Sequence, residues 1–432
     1  MLRRLSIIMM TIIMLMSAGP ACISNPAPKN VEISFYKRGY VPGGKDVTSE
    51  TIAKAVEVFR ANHPNITVHI VGVPWTTEGT NQLEAALVSH SGMHVFSVSA
   101  IDLARYARAG YLSELDPYLT ANDRSDFYTS GLQAAAVDGK IYAWPVWVTA
   151  VSIFANTAIF EERGVALPTL SKFWTWEEFV TAGQHLTFSR ADGSKVYAFN
   201  ASSQPGVVVY QPLIYMDGGR VLSPDGRKFT QNSAEGLSAL QKMADMTQVY
   251  KITPPDFGNV DQLMARKQFT DGQLAMVMDT PSFLSELEKS GNAIRYAVIP
   301  PPAGKLGRLV TGGAFGLYGV VKVTDSQEQL AAHEFARYIT GSQVAKDVPG
   351  YQQAPGLRKS NTSFATNANR EIIAKLVAFG VYEPPVSVSP EARLKQETAM
   401  QSVILGLKKP PEAMAEIAPI FQRELDMQFA KR

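Results

Sequence analysis

From residue 31 onward the apolar residues switch repeatedly between a two-residue period and a three-to-four-residue period, and few folds accept that switching. Val31, Ile33 and Phe35 alternate with polar neighbours, as a half-buried strand requires. Ile52, Ala55, Val56 and Phe59 follow at helical spacing, and Asn62-His63-Pro64 should stop that helix. Ile66, Val68 and Ile70 alternate again and lead into Val73-Pro74-Trp75. A helix over Asn81–Val88, a strand over His94–Ser99 and a helix over Asp102–Arg108 continue the series. Strands alternating with helices imply a sheet covered by helices, an α/β architecture.

Past residue 140 the pattern restarts. Trp144 to Phe154 reads as extended and apolar, and Ala158 to Arg163 as a short helix closed by Gly164. Thr175 with Glu178 three residues on fits a capping box, which opens a helix through Phe179 and Ala182. Helical spacing recurs at Ser233–Val249, Val260–Phe269, Ser326–Thr340, Asn369–Phe379, Arg393–Leu405 and from Glu412 onward. The run Ile299-Pro300-Pro301-Pro302 interrupts it and predicts a crossing or hinge. A length of 432 residues suits two or three domains with cores that need no covalent staples.

The beginning of the chain carries a different message. Arg3-Arg4, an apolar run from Leu5 to Met16 and the small residues Ser17 to Ala21 are the three regions of a secretory leader. The run is shorter than the roughly 20 apolar residues a spanning helix needs. Cys22 follows at once and is the sole cysteine, so residues 1–22 read as a leader ending at a bacterial lipid-anchor acceptor, although Gly19-Pro20-Ala21 lacks the usual leucine-like residue. Residues 23–30 are polar and proline-bearing, as a tether should be. An exported chain, lipid-anchored at Cys22 on the outer face of the cytoplasmic membrane or in the periplasm, is expected.

One cysteine excludes an intramolecular disulfide and a cysteine-based zinc site. The 41 basic and 39 acidic residues leave a net charge of +2, so nucleic acid is not an expected partner. No phosphate loop, nucleophile elbow, zinc-protease motif or dinucleotide fingerprint occurs. His90 and His94 alone have a spacing that could share a helix face and bind metal, and they read more simply as turn histidines. Glu161-Glu162 and Glu177-Glu178 sit beside predicted helix starts or ends as solvated charge. Neither catalytic residues, metal nor cofactor are expected; a secreted carbohydrate-active enzyme is the alternative of a different class.

Five segments in order carry a family resemblance: Ala55–Val68, Asp138–Pro145 running on through Phe154–Gly164, Thr175–Phe179, Met216–Arg220 and Phe269–Met276. Together they resemble the extracellular solute-binding proteins of ABC importers, in the group containing maltose- and glycerol-phosphate-binding proteins. The resemblance implies a two-lobe, periplasmic-binding-protein-like fold of type II, with the ligand cleft between the lobes. Projected onto this chain, one lobe takes residues 31–147 plus 299–343 and the other 148–298 plus 344–432. Crossings would then fall near Val146-Trp147-Val148, Val298-Ile299-Pro300 and Thr340–Asp347. The implied function is capture of a mono- or oligosaccharide by lobe closure and delivery to an ABC permease, with glycerol-3-phosphate or its diesters as the alternative ligand.

Sugars offer flat C–H faces and rings of hydroxyls, so their sites want aromatic platforms and amide, carboxylate or arginine partners. On this ground, and on the position of the family's cleft, the candidates are Tyr36 and Arg38 after the first strand, Trp75 after the second, and Trp144 and Trp147 at the first crossing. In the other lobe they are Tyr210, Gln211, Asp279, Ser282 and Arg393, joined by the backbone N–H groups of Gly312 and Gly313. Core packing explains Trp75 and Trp147 equally well, whereas Tyr36 and Trp144 are favoured for the cleft, and surface ion pairing is the alternative for Asp279 and Arg393. Many relatives carry a Gly-Pro-Trp after the Ala-Met pair, where this chain has Asp279-Thr280-Pro281-Ser282. Arg393, thirteen residues before Gly406, resembles the spacing of a phosphate-binding arginine in the glycerol-phosphate group.

Overall fold

The computed structural model describes residues 30–430 except 75, 90–91, 203–207, 292–293, 385 and 387. Among them the strands in chain order are β1 (Val31–Arg38), β2 (Ile66–Val73), β3 (Val95–Ser99), β4 (Ala136–Val137), β5 (Lys140–Ile141), β6 (Ala143–Val148), β7 (Ser152–Asn156), β8 (Phe188–Ser189), β9 (Lys195–Ala201), β10 (Leu274–Asp279), β11 (Tyr296–Ile299) and β12 (Phe315–Val320). Two five-stranded sheets result, ordered β2-β1-β3-β12-β6 and β11-β7-β10-β9-β8, with β4 and β5 as a separate ribbon. In the first sheet β1 runs parallel to β2 and β3, while β12 is antiparallel to both β3 and β6. In the second, β10 is parallel to β9 and antiparallel to β7.

The expected alternation is present in β1, where Val31, Ile33 and Phe35 are buried. Central β10 is buried at every position, as a strand covered on both faces must be. The helix Val47–Asn62 starts where the Asp46 side chain accepts from Ser49 N, and it turns Ile52, Ala55, Val56 and Phe59 inward. Both halves of the expected Thr175–Glu178 capping box are made, opening the helix Trp176–Leu186. Phe35 and Phe59 each meet Phe335 of the helix Ser326–Ile339 edge to face, 5.2 and 5.1 Å between centroids. The second lobe has its own core, with Phe179 on Phe199 at 5.4 Å and Phe154 on Phe283 at 5.1 Å. Each such ring stabilises its lobe by about 1.5–3 kcal/mol through burial.

The chain passes between lobes three times. The first passage is 149–151, between β6 and β7. The second lies later than Ile299-Pro300. After β11 the proline run forms a strap along the second lobe, where Ala303 N donates to Trp174 O (2.8 Å) and Lys305 N to Asp217 Oδ1 (2.9 Å). The passage comes at Gly312–Ala314, hydrogen-bonded to the first: Val151 N to Gly312 O at 3.0 Å and Thr149 N to Ala314 O at 2.9 Å. Prolines end the β11 ladder because they have no N–H to donate, but they do not decide on which lobe the strap lies.

The third passage is also later than Thr340–Asp347. The helix Ser342–Asp347 packs on the first lobe, with Val344 and Val348 against Ala55. Residues 355–357 then cover the free edge of β6 (Val148 N to Pro355 O 2.9 Å, Leu357 N to Val146 O 3.1 Å). The buried Arg358 pairs with Asp123 at 3.0 Å, and Ser360 N donates to Asp126 at 2.8 Å. The chain joins the second lobe at the helix Ala368–Leu376, where Asn369 Oδ1 accepts from Val298 N at 2.9 Å.

Candidate functional site

In open α/β sheets, ligands bind outside the carboxyl ends of the parallel strands. The register brings those ends in both lobes to the same place. Ser99, ending β3, pairs with Gly316 at the start of β12, and Gly316 pairs with Trp147 at the end of β6. Asp279, ending β10, pairs with Ser152 at the start of β7. Both sheets therefore end at the hydrogen-bonded passages 149–151 and 312–314, and the space between the ends is an interlobe cleft with that pair as its floor.

Glycine is required in the floor. A Cβ on Gly313 would stand 2.1 Å from Thr149 O, and one on Gly312 would stand 2.4 Å from Gln211 Cβ. Gln211, at the start of the helix Gln211–Tyr215, accepts from Gly313 N through Oε1 at 2.9 Å. The N–H of Gly313 is thus held by Gln211, and these three candidates form one joint between lobe and floor.

Trp147 is partly exposed, with its indole over Gly316, whose Cβ would stand 2.1 Å from Cε2. Trp144 is a correction to the expected cleft lining. It is fully buried in the first lobe, where Nε1 donates to His333 Nδ1 (3.4 Å) and the Arg337 guanidinium lies 5.4 Å from its ring. The one-residue bulge between Gly316 and Leu317 breaks the simple alternation along this pair of strands. Tyr36 is partly buried against the first-lobe core near the end of β1. Arg38 ties that end to the next connection, through Nη1 to Pro74 O (3.2 Å) and Nη2 to Thr80 Oγ1 (3.0 Å). Trp75 and Cys22 lie outside the described residues.

On the second lobe, Asp279 reaches the cleft end of β10 but turns its carboxylate inward, a second correction. Arg266 holds it with Nε and Nη2 at 2.8 Å each, and Gln262 Nε2 adds a bond of 2.7 Å. Ser282 is exposed and accepts from Arg266 Nη2 at 3.0 Å. Tyr210 is buried, which pushes its phenol up, and the Arg393 guanidinium acts on it electrostatically. Arg393 is partly buried near the start of the helix Pro390–Ile404 and forms no side-chain ion pair among the described residues.

Residues not singled out from the sequence also meet here. Tyr382 packs on Phe315 at 4.5 Å between centroids, and its Oη donates to Thr149 O at 3.5 Å. Glu383 fixes that loop by accepting from Tyr215 Oη at 2.9 Å and from the amides of Val221 and Leu222, both at 3.1 Å. Burial nonetheless pushes its carboxyl up. Lys37 occupies the same parity as Ile33 and Phe35, so its side chain leaves β1 on the buried face. Burial pulls its ammonium down to about 8, with Asp46 opposing. A lysine continuing an apolar alternation is the signal that could have found it.

No group of three or more metal-capable side chains occurs among the described residues. Both nitrogens of His94 are engaged, by Ser34 N at 3.1 Å and Glu328 at 3.4 Å, and His90 lies outside the described residues. No helix among the described residues is long and apolar enough to cross a membrane.

The fold matches that of maltose-bound MalE3 from T. maritima with a TM-score of 0.75, at 20% identity over 90% of this chain and 99% of that one. It matches UgpB from Mycobacterium tuberculosis in complex with glycerophosphocholine with a TM-score of 0.78, at 16% identity over 92% of this chain and 99% of that one. In sequence the chain is 21% identical to the multiple sugar-binding protein of Streptococcus mutans, over 83% of this chain and 84% of that one. Residues 54–371 match the bacterial extracellular solute-binding protein family, and with two lobes meeting at a glycine floor the chain belongs to it.

Proposed function

We propose that this protein captures a carbohydrate outside the cytoplasmic membrane and presents it to an ABC permease, without chemical change. The observation that carries the reading is the pair of sheets whose carboxyl ends meet over one hydrogen-bonded floor of 149–151 and 312–314. A ligand lying on that floor touches both lobes only when they close. It shifts the open–closed equilibrium by the ratio of its affinities for the two states. Partly exposed Trp147, Phe315 and Tyr382 supply aromatic surface for sugar C–H faces. The sugar-binding relatives support the same ligand class. The carboxylates of Asp279 and Glu383 are committed to Arg266 and to Tyr215 with two amides, which favours binding over acid–base chemistry.

Calorimetry of the exported chain against mono- and oligosaccharides tests this. One sugar should bind at micromolar affinity or tighter and shrink the radius of gyration in solution scattering. Conversion of the bound sugar to product would refute it. A second reading, glycerol-3-phosphate or its diesters, is favoured by Arg393, whose guanidinium lacks an ion pair among the described residues, and by the likeness to UgpB. Under that reading Arg393→Ala abolishes binding of the phosphate ligand; unchanged binding removes the arginine from the site. Lipid anchoring at Cys22 completes the proposal. A Cys22→Ser chain should appear in the medium, and retention at the cell surface would count against the anchor.

A further inference from the structure

The register of the first sheet aligns a set of side chains that no reading of single strands assembles. Phe35 pairs with Val95, Ser97 with Tyr318, and Gly316 with both Ser99 and Trp147. Paired residues share a face, as do residues two apart. Lys37, Ser97, Ser99, Tyr318, Gly316 and Trp147 therefore lie on one face at the carboxyl end, and the edge-to-face contact of Phe35 with Tyr318 at 5.1 Å confirms it. Tyr36 and Arg38 lie on the other face, where Arg38 is bound to Pro74 and Thr80.

Lys37 sits on β1 and Trp147 three strands away, about 14 Å at the backbone. The indole lies over Gly316 and so reaches back one strand, while the Lys37 ammonium is held at the end of β1 by Arg38 O. Between the two lies a gap over Ser97, Ser99 and Gly316. Its floor is Ser97, whose hydroxyl accepts from Arg38 N at 3.2 Å and keeps its hydrogen to donate.

The Lys37 ammonium is under-partnered for its depth. It donates to Arg38 O at 2.8 Å and has no carboxylate within ion-pair distance among the described residues. Asp46 acts on it only from farther away, and that carboxylate already accepts from Ser49 N and Oγ at 2.9 and 2.6 Å. Of the other charges about the adjoining helix start, Glu50 pairs with Lys289 at 3.7 Å, and Lys289 also donates to the backbone carbonyl of Lys45. A partly desolvated ammonium with spare donors is best satisfied by an oxyanion.

We propose that Lys37 and Trp147 form a subsite for a sugar ring bearing an anionic substituent, the indole stacking on the ring and the ammonium pairing with its carboxylate or phosphate. This rests on the carbohydrate reading above and narrows it to acidic saccharides. The depressed ammonium also predicts that affinity for such a ligand falls as pH rises from 7 to 9.5, since only the charged lysine pairs with it.

The test is calorimetry on the exported chain with a uronic-acid disaccharide, the matching neutral disaccharide and glycerol 3-phosphate. The uronate should bind at least about tenfold tighter than the neutral sugar at pH 7. Lys37→Met should remove that preference by weakening the uronate at least about tenfold, and Lys37→Arg should keep it. Trp147→Leu should weaken both sugars. Equal affinity for the two sugars in the native chain, or a preference that survives Lys37→Met, would overturn the subsite. Tighter binding of glycerol 3-phosphate than of the uronate would overturn the sugar-ring half. Failure of every saccharide to bind would instead overturn the carbohydrate reading itself.

Discussion

The imidazole of His333 is neutral because its surroundings offer a cation nothing. The residue is 2% exposed, and Tyr118 stacks on it with 3.5 Å between centroids. Nδ1 accepts from Trp144, so Nε2 carries the hydrogen and donates to Ser113 Oγ at 3.0 Å. Burial, with Arg337 nearby, pulls its pKa from 6.5 to about 3. A depressed folded-state pKa contributes stability fully present above about 6.5 and lost as pH falls toward about 3, on the order of 5 kcal/mol in all. His333→Gln should therefore lower stability at pH 7 and flatten its decline between pH 6.5 and 4, measured by urea unfolding at both pH values. Asp279→Asn should cost about 1.5–3 kcal/mol, because the buried Arg266 loses its charge-assisted bonds to Asp279 and keeps only the half-exposed Glu286 as an ion pair. Ligand affinity should change little, and a large loss of affinity with stability intact would return Asp279 to the cleft. Trp144 and Asp279 show why side-chain roles were hard to read in the sequence. Their positions near the cleft follow from strand ends, but their partners His333 and Arg266 come from helices far along the chain or on the opposite element, which periodicity does not link.

Elements were easier to read. The two-residue alternation marks β1 and β2, and the Thr175–Glu178 spacing marks a helix start, because these signals are local. The second and third passages between lobes were misplaced because they depend on what a connecting segment packs against. Residues 300–306 stay on the second lobe through Trp174 and Asp217, and 355–357 stay on the first by extending β6. The second passage, at Gly312-Gly313, has a sequence cue only in its paired glycines, whose necessity appears once Thr149 and Gln211 are beside them. Gly313→Ala should force the two passages apart. A melting temperature lower by several degrees and ligand affinity weaker by about tenfold are expected. An unchanged melting curve with unchanged affinity would mean the passages need no such closeness.

Across the whole molecule the lobes also touch at the rim. Lys289, at the end of the helix Pro281–Lys289, donates to Lys45 O and lies 3.7 Å from Glu50, both on the first lobe. Arg370 Nη1, on the second lobe, reaches Gln352 O at 3.4 Å. The Lys289–Glu50 pair is about half exposed on each side, so screening keeps its worth below about 1 kcal/mol. Lys289→Ala should then raise the ligand dissociation constant by no more than about fivefold at low salt, with the difference vanishing near 0.5 M salt. A loss that persists at high salt would point to a packing role.

The paired passages 149–151 and 312–314 have a mechanical meaning as well. Because they are hydrogen-bonded to each other, a change in one backbone angle would be shared by both, and under the proposed closure the lobes would turn about a common axle. Lys45 and Lys289 sit far out along the lever arms, so a small rotation at Gly313 becomes a much larger stroke at the rim. A permease that recognises the rim would thus read an amplified copy of what happens at the floor.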